Sequence, residues 1–212
     1  MILVNGETKR WGSEKKSSAR VLPRSLLVLL RAGQRHSRQC QPVNSSQPVG
    51  HYEFCVRSPK ECQPTAQARP VELSRSLWTK IVDINNRVNM AVTPRTDSEM
   101  WGVEEYWSYP VKGYGDCEDY VLEKRRLLMK AGVPASNLLI TVVRQPNGDG
   151  HAVLTVSTHL GDFILDNLEP RVLAWNETDY RFLKRQAAKH AGMWVSIDDG
   201  RNMLVGSVKT TR

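Results

Sequence analysis

The chain has 212 residues, enough for one domain with its own core plus an appendage, and carries a formal net charge of +8. The excess is uneven: residues 1–70 hold 12 Lys and Arg against 4 Asp and Glu, whereas residues 71–212 hold 18 against 18. The charge-balanced part therefore offers no basic face, and nucleic acid is not expected as a partner of the folded domain.

Residues 1–50 are rich in Arg, Ser, Gln and Lys without a sustained period, and read as a basic, largely disordered segment ahead of a domain spanning 51–212. Within that segment, Leu22-Pro23-Arg24-Ser25-Leu26-Leu27-Val28-Leu29-Leu30 has the outline of a secretory signal. It is a poor one, because its unbroken apolar core runs only from Leu26 to Leu30 and Arg31 follows directly, with no clear small-residue cleavage site. A degenerate signal, a mis-assigned start and a retained basic arm that binds an anionic surface all stay open. No run of about 18 apolar residues occurs, so no ordinary transmembrane helix is expected.

The cysteines stand at 40, 55, 62 and 117, with no CxxC pair and no zinc-finger spacing. Cys55 and Cys62 bracket a short polar loop containing Pro59. Either they close a disulfide, which would imply an oxidising compartment, or they are two unrelated thiols.

Organisation begins near Val71. Ser74 is placed to cap a helix from about Arg75 to Ala91, with Leu77, Ile81, Ile84, Val88 and Ala91 near one stripe. Ser98 to Pro110 is aromatic and irregular. Gly113-Tyr114-Gly115-Asp116-Cys117-Glu118-Asp119-Tyr120 then reads as a loop entering a helix that runs from Cys117 to about Ala131, with Asp116 as the N-cap. Beyond Pro134 the period changes to two, predicting strands at Leu138–Val143, His151–Ser157 and Asp162–Asp166, and a further pair at Tyr180–Leu183 and Met193–Ile197. A helix packed on an antiparallel sheet makes the fold class α+β.

Cys117 in the first helical turn meets the positive end of the helix dipole, which favours the nucleophilic thiolate, while Glu118 and Asp119 oppose it. His151 opens one strand and Asp166 ends the next. In an antiparallel hairpin with an even loop, Asp166 falls opposite an odd-numbered residue and shares His151's face. A carboxylate beside an imidazole fixes its tautomer, and that imidazole can deprotonate a thiol. Cys117, His151 and Asp166 thus have the residue types of a nucleophilic triad. The bland alternative is a buried helix-start cysteine, a surface histidine and a strand-end aspartate.

Four separated motifs carry a resemblance: Trp101-Gly102-Val103-Glu104-Glu105-Tyr106-Trp107, Gly113 to Tyr120, Gly150-His151-Ala152-Val153-Leu154, and Asp162-Phe163-Ile164-Leu165-Asp166-Asn167. In this order they resemble the bacterial transglutaminase-like cysteine peptidases, the group of LapG-related periplasmic proteases, over roughly residues 50–197. The resemblance implies a papain- or transglutaminase-like core with the nucleophile-bearing helix packed on the sheet. It makes Cys117 the nucleophile, His151 the general base and acid, and Asp166 the orienting carboxylate. Trp107 becomes a candidate for the oxyanion site, or else a core aromatic. The acids Asp116, Glu118 and Asp119 become candidate calcium ligands, or else caps of the helix. A protein or peptide substrate follows, with cell-surface proteins one class, and by family analogy alone a regulatory membrane receptor. The resemblance points to the periplasm, while the poor signal leaves the cytoplasm open. Hydrolysis of a peptide is the leading activity; acyl transfer to an amine by the same triad, and a catalytically inert calcium-dependent binding module, are the rivals.

Overall fold

The described residues, 44–66, 69–110 and 112–200 of a computed structural model, begin with a short strand, Asn44–Ser45 (β1), and a helix, Val49–Arg57 (α1). Both contain residues the sequence reading assigned to the N-terminal segment, so the fold starts earlier than residue 51. Residues 1–43 of that segment, including the signal-like run and Cys40, lie outside the described residues. Helix α1 escapes sequence detection because it is short and holds Gly50 amid aromatic and β-branched residues of modest helix propensity. It is held by burial of His51 and Phe54 and by a Cys55–Cys62 disulfide with Cα atoms 5.6 Å apart, which ties it to the 3₁₀ turn Pro59–Cys62. Of the two readings of this cysteine pair, the cross-link is the one present.

Helix α2 spans Arg75–Ala91, and the Ser74 hydroxyl accepts from the Leu77 N–H at 3.1 Å, the cap expected of it. It buries Ile81, Ile84 and Val88. Thr93–Pro94 (β2) follows, then a five-residue helix, Asp97–Trp101 (α3), started by a Thr96–Glu99 capping box. Tyr114–Gly115 (β3) pairs in parallel with β2 and delivers the chain to Cys117–Lys130 (α4).

The remaining strands are Leu138–Arg144 (β4), Gly150–Thr158 (β5), Gly161–Leu165 (β6), Leu173–Ala174 (β7), Arg181–Ala187 (β8) and His190–Ser196 (β9). They form one antiparallel sheet in the order β1-β9-β8-β4-β5-β6-β7. The two-residue strands β1 and β7 close its edges and are too short to show a period. Helices α2 and α4 cover one face of the sheet. There Leu138, Ile140, Ala152, Leu154, Val156 and Leu165 meet Ile81, Val88, Val121 and Leu128 in the main core. Val143, Val153, Ile164 and Phe182 form a smaller cluster on the opposite face. Each of the Val, Leu, Ile and Phe side chains contributes about 1.5–3 kcal/mol on burial, and the alternation that sorts them also orients the site residues. No helix among the described residues is long and apolar enough to cross a membrane.

Candidate active site

Cys117 is the first residue of α4 and the one free cysteine among the described residues. Gly115 makes the entry feasible, since a Cβ there would stand 2.7 Å from the Asp119 Cβ. The thiol donates to Glu118 Oε2 at 2.7 Å rather than to His151. Burial, and then the Glu118 charge and hydrogen bond, push the thiol well above its ordinary pKa, while the backbone N–H of Ala152 at the sulfur pulls the other way. That contact locates the sulfur beside the start of β5, at the residue after His151.

His151 and Asp166 meet as the hairpin argument requires. Leu154 pairs with Leu165, so the following residue, Asp166, falls opposite Val153 and shares the face of Val153 and His151. His151 Nε2 lies 2.8 Å from Asp166 Oδ1, with both side chains almost fully buried. An ionised carboxylate accepts only, so Nε2 carries the proton and Nδ1 is left bare as the basic nitrogen. Burial pushes the Asp166 carboxyl up, but His151, the Tyr180 hydroxyl and the Leu168 N–H together hold it below the ordinary range. The Tyr180 Oη donates to Asp166 Oδ2 at 2.5 Å, and its ring centroid lies 5.7 Å from that of His151. Asn89 Nδ2 holds the Asp166 backbone carbonyl at 2.8 Å.

The acids near Cys117 divide in a way the sequence reading did not anticipate. Asp116 occupies the N-cap position of α4 without bonding the helix through its side chain. Its carboxylate joins those of Asp97 and Glu118, with one oxygen from each residue lying within 4.8 Å of the others. Asp97 Oδ1 and Asp116 Oδ1 are buried without a hydrogen-bond partner, while Asp97 Oδ2 accepts the Tyr106 N–H. Burial and the neighbouring negative charges raise both Asp116 and Glu118 above the usual carboxylate range. Uncommitted oxygens in so negative a pocket are the donor set a hard cation takes. Asp119 is not one of them, because its carboxylate accepts the Ser108 N–H at 2.8 Å and the Ser108 hydroxyl at 3.5 Å. Burial raises Asp119 to about 8, against the pull of those bonds. The carboxylate cluster is thus made by Asp97, Asp116 and Glu118, without Asp119.

Trp107 also departs from expectation. Its ring is buried against His51 and Trp194, and its indole N–H is given to Glu105 Oε2 at 3.1 Å. An indole has a single donor, so the core-aromatic role fits and the oxyanion role does not. Asp97, Tyr180 and Asn89 are the site residues that sequence reasoning missed. The Thr96–Glu99 box marks a helix start at Asp97, but nothing local marks that side chain as a ligand.

A family model of bacterial transglutaminase-like cysteine proteinases matches residues 42–202. Among solved structures, calcium-bound LapG of Legionella pneumophila is 21% identical, covering 84% of this chain and 93% of that one with a TM-score of 0.49. A second structure of LapG from the same organism is 22% identical (80% and 87% covered, TM-score 0.48), as is its EGTA-treated form (80% and 84%, TM-score 0.48). No curated protein matches the chain. The matched span takes in all four motifs, the nucleophile-bearing helix and the whole sheet, and the chain belongs to the bacterial transglutaminase-like cysteine proteinases, cysteine peptidases of α+β fold.

Proposed function

We propose that the protein is a thiol endopeptidase in which Cys117 is the nucleophile, His151 the general base and acid, and Asp166 the carboxylate that orients it. The buried 2.8 Å bond between His151 and Asp166, with the Cys117 sulfur at the backbone N–H of the next residue, Ala152, is the observation that carries this reading. His151 Nδ1 would take the thiol proton as Sγ attacks a peptide carbonyl. The oxyanion would be met by the free backbone N–H groups of the first turn of α4, in place of Trp107. As the C–N bond breaks, His151 returns the proton to the leaving amine, leaving a thioester that water then hydrolyses.

Asp97, Asp116 and Glu118 are the residues that would hold calcium, which when bound supplies positive charge against the field that disfavours thiolate. Glu118 is pivotal because it also accepts the Cys117 S–H, so the same carboxylate serves either the thiol or a cation. The Cys55–Cys62 disulfide supports an oxidising compartment. We therefore read the location as periplasmic and the substrate as an exposed protein segment, for instance of a cell-surface protein.

The test is cleavage of a proteome-derived peptide library, with products mapped by mass spectrometry in calcium. New termini should appear with the wild type and vanish with Cys117→Ala. Equal cleavage by both proteins would sink the reading. The same digest with an added primary amine separates hydrolysis from acyl transfer, which would instead leave amine-capped products.

A further inference from the structure

Arg57 is the last residue of α1 and is exposed, yet its guanidinium makes two specific contacts with one short stretch of chain. Its Nη2 donates to the Trp107 backbone carbonyl at 2.7 Å, and its Cζ stands 3.9 Å from the centre of the Tyr106 ring. That stretch lies within residues 102–110, which form neither helix nor strand, so no backbone ladder fixes its place and side-chain contacts do. A guanidinium that donates to a carbonyl while lying on an aromatic face restrains position and orientation together.

The backbone on either side of that grip holds two carboxylates. The Tyr106 N–H is given to Asp97 Oδ2, and the Ser108 N–H to Asp119 Oδ1 at 2.8 Å. With Oδ2 so engaged, Asp97 Oδ1 is left buried without a hydrogen-bond partner, as is Asp116 Oδ1, in the cluster that Glu118 completes. Residues 106–108 thus sort the acids: Asp97 is held with a free oxygen in the pocket, and Asp119 is occupied elsewhere.

We propose that Arg57 is a positioning residue for a hard cation held by Asp97, Asp116 and Glu118, because it fixes the backbone whose N–H groups engage Asp97 on one side and Asp119 on the other. The inference rests on the reading that these three acids hold calcium. Its sign is opposite to that of charge alone. Deleting a positive side chain favours cation binding through simple Coulomb attraction, whereas freeing residues 106–108 lets Asp97 leave the pocket and weakens it.

The experiment is calorimetric titration of calcium into full-length protein stripped with chelator. Terbium, which takes oxygen ligands as calcium does, repeats it by luminescence excited through the tyrosine and tryptophan rings. Arg57→Met, which keeps the stem and loses the donors, should weaken calcium binding about tenfold, the scale of one lost hydrogen bond from a charged donor. Arg57→Ala replaces it should that protein fail to fold. Arg57→Lys, which keeps a charged donor for the Trp107 carbonyl, should regain part of the loss. Asp97→Asn should weaken binding at least as much as Arg57→Met, which assigns the ion to this pocket. Equal or tighter binding in the folded Met variant, or a Lys variant no tighter than it, overturns this proposal alone. A wild type that binds no calcium, or binding that Asp97→Asn leaves intact, sinks the cation reading and this proposal with it.

Discussion

Replacing Asp116 by Asn tests the acidic pocket from both sides. Oxygens of Asp97, Asp116 and Glu118 lie within 4.8 Å of one another. At that separation and an effective dielectric of about 20, each pair of full charges repels by about 3.5 kcal/mol. Proton uptake relieves much of this, which is why Asp116 and Glu118 sit above the ordinary carboxylate range, through burial first and neighbouring charge second. The Asn variant keeps the side chain's volume and removes one charge from two of the pairs. We expect it to stabilise the metal-free protein by about 2 kcal/mol at pH 8, or about 4–8 °C in Tm for a domain of this size. The sign follows from linkage. A carboxylate raised in the folded state binds protons that the unfolded chain has released, so stability falls as pH rises through the folded pKa. The gain should therefore be small near pH 5 and largest near pH 8. Calcium at about 100 times its Kd should stabilise the wild type by about 2.7 kcal/mol and the variant far less. Thermal unfolding followed by circular dichroism, in chelator and in calcium at both pH values, reads all of this. A variant that melts no higher than wild type in chelator at pH 8, or that calcium stabilises equally, would refute the account of this pocket.

Two further perturbations probe the supports of the site. Tyr180→Phe removes the 2.5 Å donor to Asp166 Oδ2 and leaves the ring beside His151; a hydrogen bond to a charged group contributes about 1.5–3 kcal/mol. Turnover on a mapped peptide should fall about tenfold with the fold unchanged by circular dichroism, and full activity would remove Tyr180 from the machinery. Gly50→Ala would add a Cβ 2.5 Å from Trp107 Cδ1 and 2.9 Å from Glu105 Oε2. Overpacking of about 1–3 kcal/mol should outweigh the helix-propensity gain of about 1 kcal/mol, lowering Tm; a raised Tm would show that α1 and the Glu105–Trp107 segment are loosely apposed.

What was legible in the sequence was whatever a short-range rule governs. Ser74 and the stripe behind it marked α2, and the glycines before Cys117 marked the entry to α4. The two-residue period of β5 and β6 put His151 and Asp166 on one face. Helix α1 was not legible, because its stability comes from a cross-link and from contacts with Trp107 and Trp194, distant in the chain.

The division within the site has the same cause. The sequence by itself determined the nucleophile's place at a helix start and the pairing of histidine with aspartate, since both depend on neighbours along one helix or one hairpin. Only the tertiary structure decided which acids share a pocket. Asp97 comes in from the start of α3, Asp119 is drawn away by Ser108, and Trp107 spends its one donor on Glu105. Side chains pair by proximity in space, and a carboxylate's partner across a loop leaves no period in the chain for a sequence rule to read.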